Sequence, residues 1–254
     1  MRTLLNRKLI GALALGTLTL ATGSYAAAPL PETTYAKVID ADTAHLNSLV
    51  ELAKTKKGIP GRIKATAMLL AVYSQDNLTG KDADKMAAVR AQALKVAEAV
   101  AKKDTAATAS AVAGLKGIAA DAKADKKPAK LAAMHKLDLR ELMDLFGASA
   151  GGGMNIEKDI RSMKKDGVKD VALAELVGAR TAALADLTLE LPPAFGGKKK
   201  KDDWDRWTKD MKAISVDITA EAAKGAKADM AKLKKLMGGL DGSCTNCHNV
   251  FRED

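Results

Sequence analysis

Aromatic residues, proline and cysteine are all scarce in this sequence. Phenylalanine, tryptophan and tyrosine together make up 3% of the 254 residues, and there are six prolines and two cysteines. The clusters of aromatic and β-branched residues that mark β-strands are almost absent, whereas alanine, leucine, lysine and methionine are frequent. These scarcities exclude a fold built mainly of strands and predict an almost entirely helical protein.

The scarcity of aromatic residues also bears on which partners the positive net charge of the chain could bind. The chain has 41 Lys and Arg against 31 Asp and Glu, a net charge of +10, which favours acidic partners or anionic surfaces by general attraction. Basic and acidic residues are interspersed along most of the length, and no aromatic residues lie among the basic ones to stack on bases. The sequence therefore predicts no nucleic-acid partner.

One dense basic run, Lys198–Lys201, follows two glycines and precedes two aspartates. Such a run is typical of an exposed loop, and the alternative is a docking patch for an acidic partner. The sequence leaves both interpretations open.

The N-terminus carries an apolar run that is too short to span a membrane. Residues 9–21 are uncharged and mostly apolar, they follow Arg2, Arg7 and Lys8, and small residues occupy most of positions 24–28. This pattern predicts a secretory signal peptide over residues 1–26, whereas a bilayer span needs about 20 apolar residues. We expect an exported, periplasmic protein with no stable membrane insertion after the leader is removed.

The only two cysteines, Cys244 and Cys247, stand near the C-terminus, and His248 follows the second directly. C-x-x-C-H is the attachment site of a c-type haem, in which the two thiols bond to the porphyrin and the imidazole binds the iron. The pattern predicts one covalent haem c per chain, with Cys244, Cys247 and His248 as its residues. No cysteine is then left for a structural disulfide.

Two other kinds of site use cysteines at this spacing. A redox-active dithiol would normally follow a strand of a thioredoxin-like unit, which the sequence does not indicate, and it leaves His248 unexplained. A zinc site would need a fourth ligand, which is not nearby in the sequence. Haem attachment is therefore the favoured interpretation.

Apolar residues in the C-terminal half recur at alternating steps of three and four, which is the period of one helix face. One such seam runs through the cysteine motif, so we expect both cysteines to point into the core of a bundle. Further helices are predicted over 128–147, over 170–189 and from about residue 202, and four such helices predict an antiparallel four-helix bundle. On the helix from about residue 202, the apolar seam is Trp204, Trp207, Met211, Ile214 and Ile218. On the helix that carries the motif, it is Met230, Leu233, Met237, Leu240, Cys244, Cys247 and Phe251.

The stretch from Trp204 to Arg252 resembles the cytochrome c-prime family, the class II cytochromes c. It has a tryptophan-led helix, a turn near Gly225, an apolar helix and the ending Cys-x-x-Cys-His-x-x-Phe-Arg. Less specifically, Leu139–Gly147 is similar to the first helix of that family. The resemblance implies a haem at the C-terminal end of a four-helix bundle, unlike class I cytochromes c, in which the haem cysteines come early.

The same resemblance implies further residues around the iron. Met143 falls where low-spin members of the family carry an axial methionine, and Arg252 falls where an arginine lies close to the proximal histidine and the haem edge. High-spin members place an apolar side chain over the iron instead, which leaves a pocket for small gases. Met143 is thus either a distal iron ligand or a packing residue, and Arg252 is either a haem-edge cation or a solvated side chain. Weaker ligand candidates are His135, Met154 and Met211.

Residues 30–125 repeat part of this pattern without the haem motif. Two local matches differ in their offsets, so the two copies differ in internal spacing. A polar linker ended by Pro128 follows the first copy. The sequence predicts two tandem bundles, a haem-free and degenerate copy over 30–125 and a haem-binding bundle over 126–254. The matches pair Leu46, Leu49, Val50 and Leu52 with Leu139, Leu142, Met143 and Leu145, and Lys102–Leu115 with Lys227–Leu240.

These observations together predict an electron carrier, not an enzyme that turns over a substrate. Its partners would be redox proteins, and it would pair either as a homodimer or through the two bundles of one chain. The alternative is a five-coordinate haem protein that binds or senses small gases such as nitric oxide. A peroxidase would need polar distal residues, of which only His135 is at hand, so it ranks last.

Overall fold

The computed structural model describes residues 30–79, 81–119, 122 and 124–252, and every regular element in these ranges is helical. The prediction of an all-α protein is therefore confirmed. The signal peptide predicted over residues 1–26 lies outside the described residues. Among those described, none of the helices is long and apolar enough to cross a bilayer.

Helices of the first half contact one another in a closed ring. Helix α1 packs against α2 and α4, and α3 packs against the same two helices. Helix α2 is buried on all sides between residues 65 and 74, as expected of a helix that is apolar around its whole circumference. The four are α1 (Glu32–Ala53), α2 (Ile59–Asp76), α3 (Ala83–Ala101) and α4 (Thr105–Ala113).

Helices of the second half form a second ring after two short helices. Helix α8 contacts α7 and α9, and α10 contacts the same two helices. Where α8 packs on α9, a Cβ added to Gly178 would lie 2.9 Å from the Ser215 carbonyl oxygen, so only glycine fits there. The elements are α5 (Leu131–Met134), α6 (Leu139–Met143), α7 (Ile156–Asp166), α8 (Val171–Leu189), α9 (Lys201–Ala222) and α10 (Met230–Phe251).

The single helix predicted over residues 128–147 is broken in the structure. Helix α5 ends before His135, Lys136 adopts a left-handed conformation with φ 46°, and α6 begins after Asp138. The break has a local cause, because Asp138 and Glu141 form a capping box that starts a new helix. The Asp138 side chain accepts from the Arg140 N–H at 2.8 Å, and the Glu141 carboxylate accepts from the Asp138 N–H at 3.1 Å.

The hydrophobic core continues across the predicted boundary at residue 126. Buried residues from α1, α2, α7, α8 and α10 belong to one cluster, and α8 is buried at every position from 177 to 185 and contacts both α1 and α2. The division into bundles over 30–125 and 126–254 stays a prediction.

Buried charges also join the two halves. The guanidinium of Arg180 on α8 donates to the fully buried Asp42 carboxylate on α1, at 2.6 and 2.8 Å. Near the start of α8, Glu175 accepts from the Thr34 hydroxyl at 2.6 Å and from Lys37 at 2.7 Å. Each carboxylate therefore has a partner from the other half of the chain.

Candidate functional site

Helix α10 carries the cysteine motif within an unbroken helix. The Asp229 side chain caps its start by accepting from the N–H groups of Ala231 and Lys232 at 2.9 and 3.0 Å. The predicted seam is largely the buried face of the helix, while Met230 at the first turn is 39% exposed. The buried seam residues are Leu233, Met237, Leu240 and Phe251, and both cysteines are half-buried.

The two thiols are free and poorly ionised. Burial, together with the neighbouring Cys247, Asp241 and Glu157, raises the pKa of the Cys244 thiol to about 12, and burial raises the pKa of Cys247 to about 11. Reactive dithiols have lowered thiol pKa values and positively charged surroundings. The surroundings of these cysteines are therefore not those of a thioredoxin-like dithiol.

His248 is exposed and lies one helical turn after Cys244. Partial desolvation and the nearby guanidinium groups of Arg252 and Arg161 lower the pKa of the imidazole, and Glu157 acts against them. A neutral imidazole is the form that binds a metal. The donor set, two free thiols one turn apart and a neutral imidazole after the second, therefore fits a covalently held haem.

Helix α7 packs against α10 and faces the motif, although no helix was expected at this position from the sequence. Glu157 in its first turn is an electrostatic neighbour of both Cys244 and His248, and it pairs with Arg161 at 2.6 Å. Lys164 pairs with Asp241 of α10 at 2.7 Å. The sequence did contain signals for this helix: apolar residues at steps of four and three, acids in the first turn and lysines in the last. The buried residues are Ile156, Ile160 and Met163.

Aromatic side chains join the end of α10 to the start of α9. The ring of Phe251 makes edge-to-face contacts with Trp204 and Trp207, with centroids 5.1 and 5.8 Å apart. The Ser243 hydroxyl donates to the Trp207 carbonyl oxygen at 3.2 Å. Three of the few aromatic residues in the chain thus lie together beside the motif.

A groove of about 520 Å³ runs between α9 and α10 on the side of Ser243 and Asn246. Trp207 and Ile214 line its α9 wall, and Gly239 and Gly242 line its α10 wall. The groove therefore borders the cysteine motif directly.

Met143, the candidate distal ligand, lies at the end of α6 and is partly buried against the core. The principal neighbours of α6 are α2, α8 and the following turn, whereas those of α10 are α7 and α9. The two elements thus have different main neighbours in the bundle. The role of Met143 as an iron ligand stays a prediction.

The weaker ligand candidates lie in three different places. His135 has Glu98 of α3 and Lys64 of α2 as charged neighbours, so it faces the first half and not the cysteine motif. Met154 and Met211 are 6% and 8% exposed and belong to the core. Met154 lies just before α7, and its N–H donates to the Leu145 carbonyl oxygen at 2.8 Å.

The two basic features of the sequence lie at the same end of the bundle as the motif. Arg252 is exposed, its N–H donates to the His248 carbonyl oxygen at 3.1 Å, and its guanidinium lowers the pKa of that imidazole. Of the run Lys198–Lys201, the first three residues lie in the turn between α8 and α9, and Lys201 begins α9. The haem-edge role of Arg252 stays a prediction.

Within the described part of the chain, no group of three or more His, Cys, Asp or Glu side chains is arranged to hold a bare metal ion. Comparisons with family models, with curated proteins and with solved structures found no match to this chain.

Proposed function

We propose that this protein is an exported c-type cytochrome that holds one covalent haem near its C-terminus and carries electrons by changes in iron oxidation state. The observation that carries the proposal is the Cys244-x-x-Cys247-His248 motif on the unbroken helix α10, with two free thiols and an imidazole of lowered pKa. The competing dithiol interpretation is disfavoured by the raised pKa values of both thiols.

Each residue of the motif would have a distinct task. Cys244 and Cys247 would anchor the porphyrin through thioether bonds, and His248 would bind the iron from the proximal side. Arg252, beside His248, would compensate negative charge at the haem edge and so influence the potential. The bound iron would supply a one-electron redox centre, and the surrounding helices would limit its access to water.

The proposal extends to architecture and location. We infer that α7, α8, α9 and α10 form the antiparallel four-helix bundle, since each contacts two others in a ring. This differs from the bundle expected from the sequence, in which the segment 128–147 supplied the first helix. Export to the periplasm depends on residues 1–26. Redox proteins are the proposed partners, with pairing as a homodimer or between the two halves of the chain.

A second candidate is a five-coordinate haem protein that binds a small gas such as nitric oxide. The position of Met143 favours it, because the principal neighbours of α6 are α2 and α8 and not α10. In this case Met143 serves in packing only, and the distal side of the iron stays open.

Haem attachment is tested by producing the full chain together with a c-type maturation system. We expect a mass increase equal to one haem and the pyridine haemochrome spectrum of a c-type haem. The variant Cys244→Ala/Cys247→Ala is the control, and it should carry no covalent haem. A known c-type cytochrome, produced in the same way, shows that the maturation system works. If that protein carries haem and the parent chain has only the mass of the apoprotein, the proposed function is refuted.

Replacing Met143 with leucine separates the two candidates. Leucine keeps the volume of the side chain, and such exchanges cost under about 1.5 kcal/mol of stability, but it removes the sulfur. If Met143 binds iron, the variant should change from low-spin to high-spin and lose the far-red sulfur-to-iron charge-transfer band. Met68→Leu, a buried exchange on α2 in the first half, is the matched control and should leave the spectrum unchanged. An unaltered spectrum in Met143→Leu would remove the ligand assignment.

A further inference from the structure

The turn between α8 and α9, residues 190–200, exposes apolar and basic side chains together. Phe195 is 42% exposed, and Leu189, the last residue of α8, is 37% exposed. In the described residues only one other large apolar side chain, Met230, is comparably exposed. An exposed aromatic residue followed closely by lysines is a combination of the kind that interfaces use as an anchor with a polar rim.

The turn is held in a defined shape by its own backbone. The Gly196 N–H donates to the Lys199 carbonyl oxygen at 3.0 Å, and the Lys199 N–H donates to the Gly196 carbonyl oxygen at 2.8 Å. Gly197 within it has φ 55°, a left-handed conformation that glycine adopts at no steric cost. Phe195 and the lysines are therefore presented from a tight turn and not from an extended loop.

Lys198 and Lys200 are exposed on this turn, and in the part of the chain that the structure describes neither forms an ion pair. The cations that follow are neutralised locally, since Lys201 pairs with Asp205 and Arg206 pairs with Asp203. Lys198 and Lys200 therefore give the turn uncompensated positive charge, whereas the first two turns of α9 carry paired acidic and basic side chains.

The fold brings this turn to the end of the bundle where the cysteine motif lies. Trp204, in the first turn of α9, contacts Phe251 at the end of α10, and Arg252 follows next. Arg252 and Arg161 are both electrostatic neighbours of His248, and Glu157 is the acid beside them. The basic groups of the turn and those around His248 thus lie at the same end of the bundle.

We propose that the α8–α9 turn, with Phe195, Lys198 and Lys200, is the docking surface for an acidic protein partner that exchanges electrons at the adjoining end of α10. This inference rests on the proposed function. The lysines would steer an acidic surface toward the turn, and Phe195 would contact an apolar part of that surface. The partner, in its reduced form, would supply the one electron that a bound ferric haem accepts. A folded partner can place acids opposite Lys198 and Lys200 and neutral groups opposite the mixed charges at the start of α9, whereas an anionic bilayer presents one sign of charge to both.

Binding to an acidic flavodoxin tests the surface, with dissociation constants measured by calorimetry at low and at physiological salt. Lys198→Gln/Lys200→Gln should weaken binding about fivefold and reduce its salt dependence, and Phe195→Ala should weaken it at both salt concentrations. The matched control is Lys57→Gln/Lys116→Gln, which removes the same charge from exposed positions of the first half. This control should bind nearly as tightly as the parent chain. In stopped-flow experiments, the rate of haem reduction by the flavodoxin hydroquinone should fall in the same order.

The binding measurement separates this inference from the proposed function. If the chain holds no haem but the turn variants still lose flavodoxin affinity, the electron-carrier proposal is wrong and the docking surface stands. Equal losses in the turn and control variants would mean that only net charge matters, and would overturn the docking surface. It is also overturned if the two lysines govern binding to phosphatidylglycerol vesicles but leave flavodoxin affinity unchanged, because the turn would then serve a membrane surface.

Discussion

His45 shows at the scale of a single residue how burial sets a charge state in this protein. It lies on α1 with its Nε2 atom buried and without a hydrogen bond, and burial and the nearby Arg180 lower its pKa from 6.5 to about 4. A backbone hydrogen bond with Gly152 opposes this shift. The folded protein therefore holds this ring neutral at pH values where an unfolded chain would protonate it.

We predict that His45 makes stability fall as pH decreases. Well above pH 6.5 the ring is neutral in both states, and its full contribution is present; as pH falls toward 4 the unfolded state alone takes up a proton. Between about pH 7 and about pH 5 this should remove about 2 kcal/mol of unfolding free energy, and His45→Gln should lack that part of the loss.

Urea unfolding of the parent and of His45→Gln at both pH values measures the effect. Asp42 has a raised pKa, which acts in the opposite direction, so the difference between the two proteins is the relevant quantity. His135→Gln, with a more exposed ring in a different environment, is the control and should change the pH dependence less. Equal pH dependence in the parent and in His45→Gln would contradict the prediction.

At the scale of elements, the contact between α1 and α8 is held by buried polar groups in addition to apolar packing. Asp42 is fully buried, and its pKa is raised by burial while Arg180 acts to lower it. The carboxylate is stabilised in its charged form chiefly by Arg180, and the Tyr73 hydroxyl lies close by with a strongly raised pKa. Loss of the cation would leave an uncompensated charge between the two halves.

Arg180→Met should therefore destabilise the protein by about 3 to 5 kcal/mol, since it leaves Asp42 buried without a partner. Asp42→Leu/Arg180→Met, which replaces both charges with apolar side chains, should recover most of this loss. Chemical denaturation followed by far-UV circular dichroism measures both. The exposed pair of Lys102 and Glu98 offers a control, because Lys102→Met should change stability little. If the double variant were no more stable than Arg180→Met, the loss of stability in the single variant would not come from an unpaired Asp42 carboxylate.

At the scale of the whole molecule, the core is shared between the parts of the chain on either side of residue 126. Helices α2 and α8, one from each side, are the most completely buried and contact each other. Separating the halves would expose both the apolar face of α8 and the pair of Asp42 and Arg180. The two parts are thus energetically dependent on each other.

We predict that the haem-loaded chain unfolds in a single transition. Loss of helical ellipticity and loss of the native haem absorbance should coincide along a urea titration, because the continuous core links both halves. A first transition that removes helical signal and leaves the haem spectrum intact would instead show that residues 30–125 unfold independently.

Much of the second half could be predicted from local patterns. The bounds of α8 and the start of α9 lie within a few residues of the predicted ones, and α10 covers the predicted seam, because apolar periodicity, acidic residues at helix starts and the two prolines after α8 are all local signals. The break at residues 135–138 was missed because the apolar period continues through it, while the Asp138 and Glu141 capping box starts a new helix. Helix α7 was missed because it is short and its glycine-rich approach resembles a loop.

The sequence by itself determined the helical class, the seam of α10 and the proposal of haem attachment at Cys244, Cys247 and His248, since each depends on residues within a few turns of one another. Only the tertiary structure decided that α7 faces the motif, that the α8–α9 turn lies at the same end of the bundle as the motif, and that Asp42 pairs with Arg180, 138 residues away in the chain. These contacts depend on how amphipathic helices choose their neighbours. Many pairings bury similar apolar area, and the choice rests on the whole set of packed surfaces, which no local pattern contains.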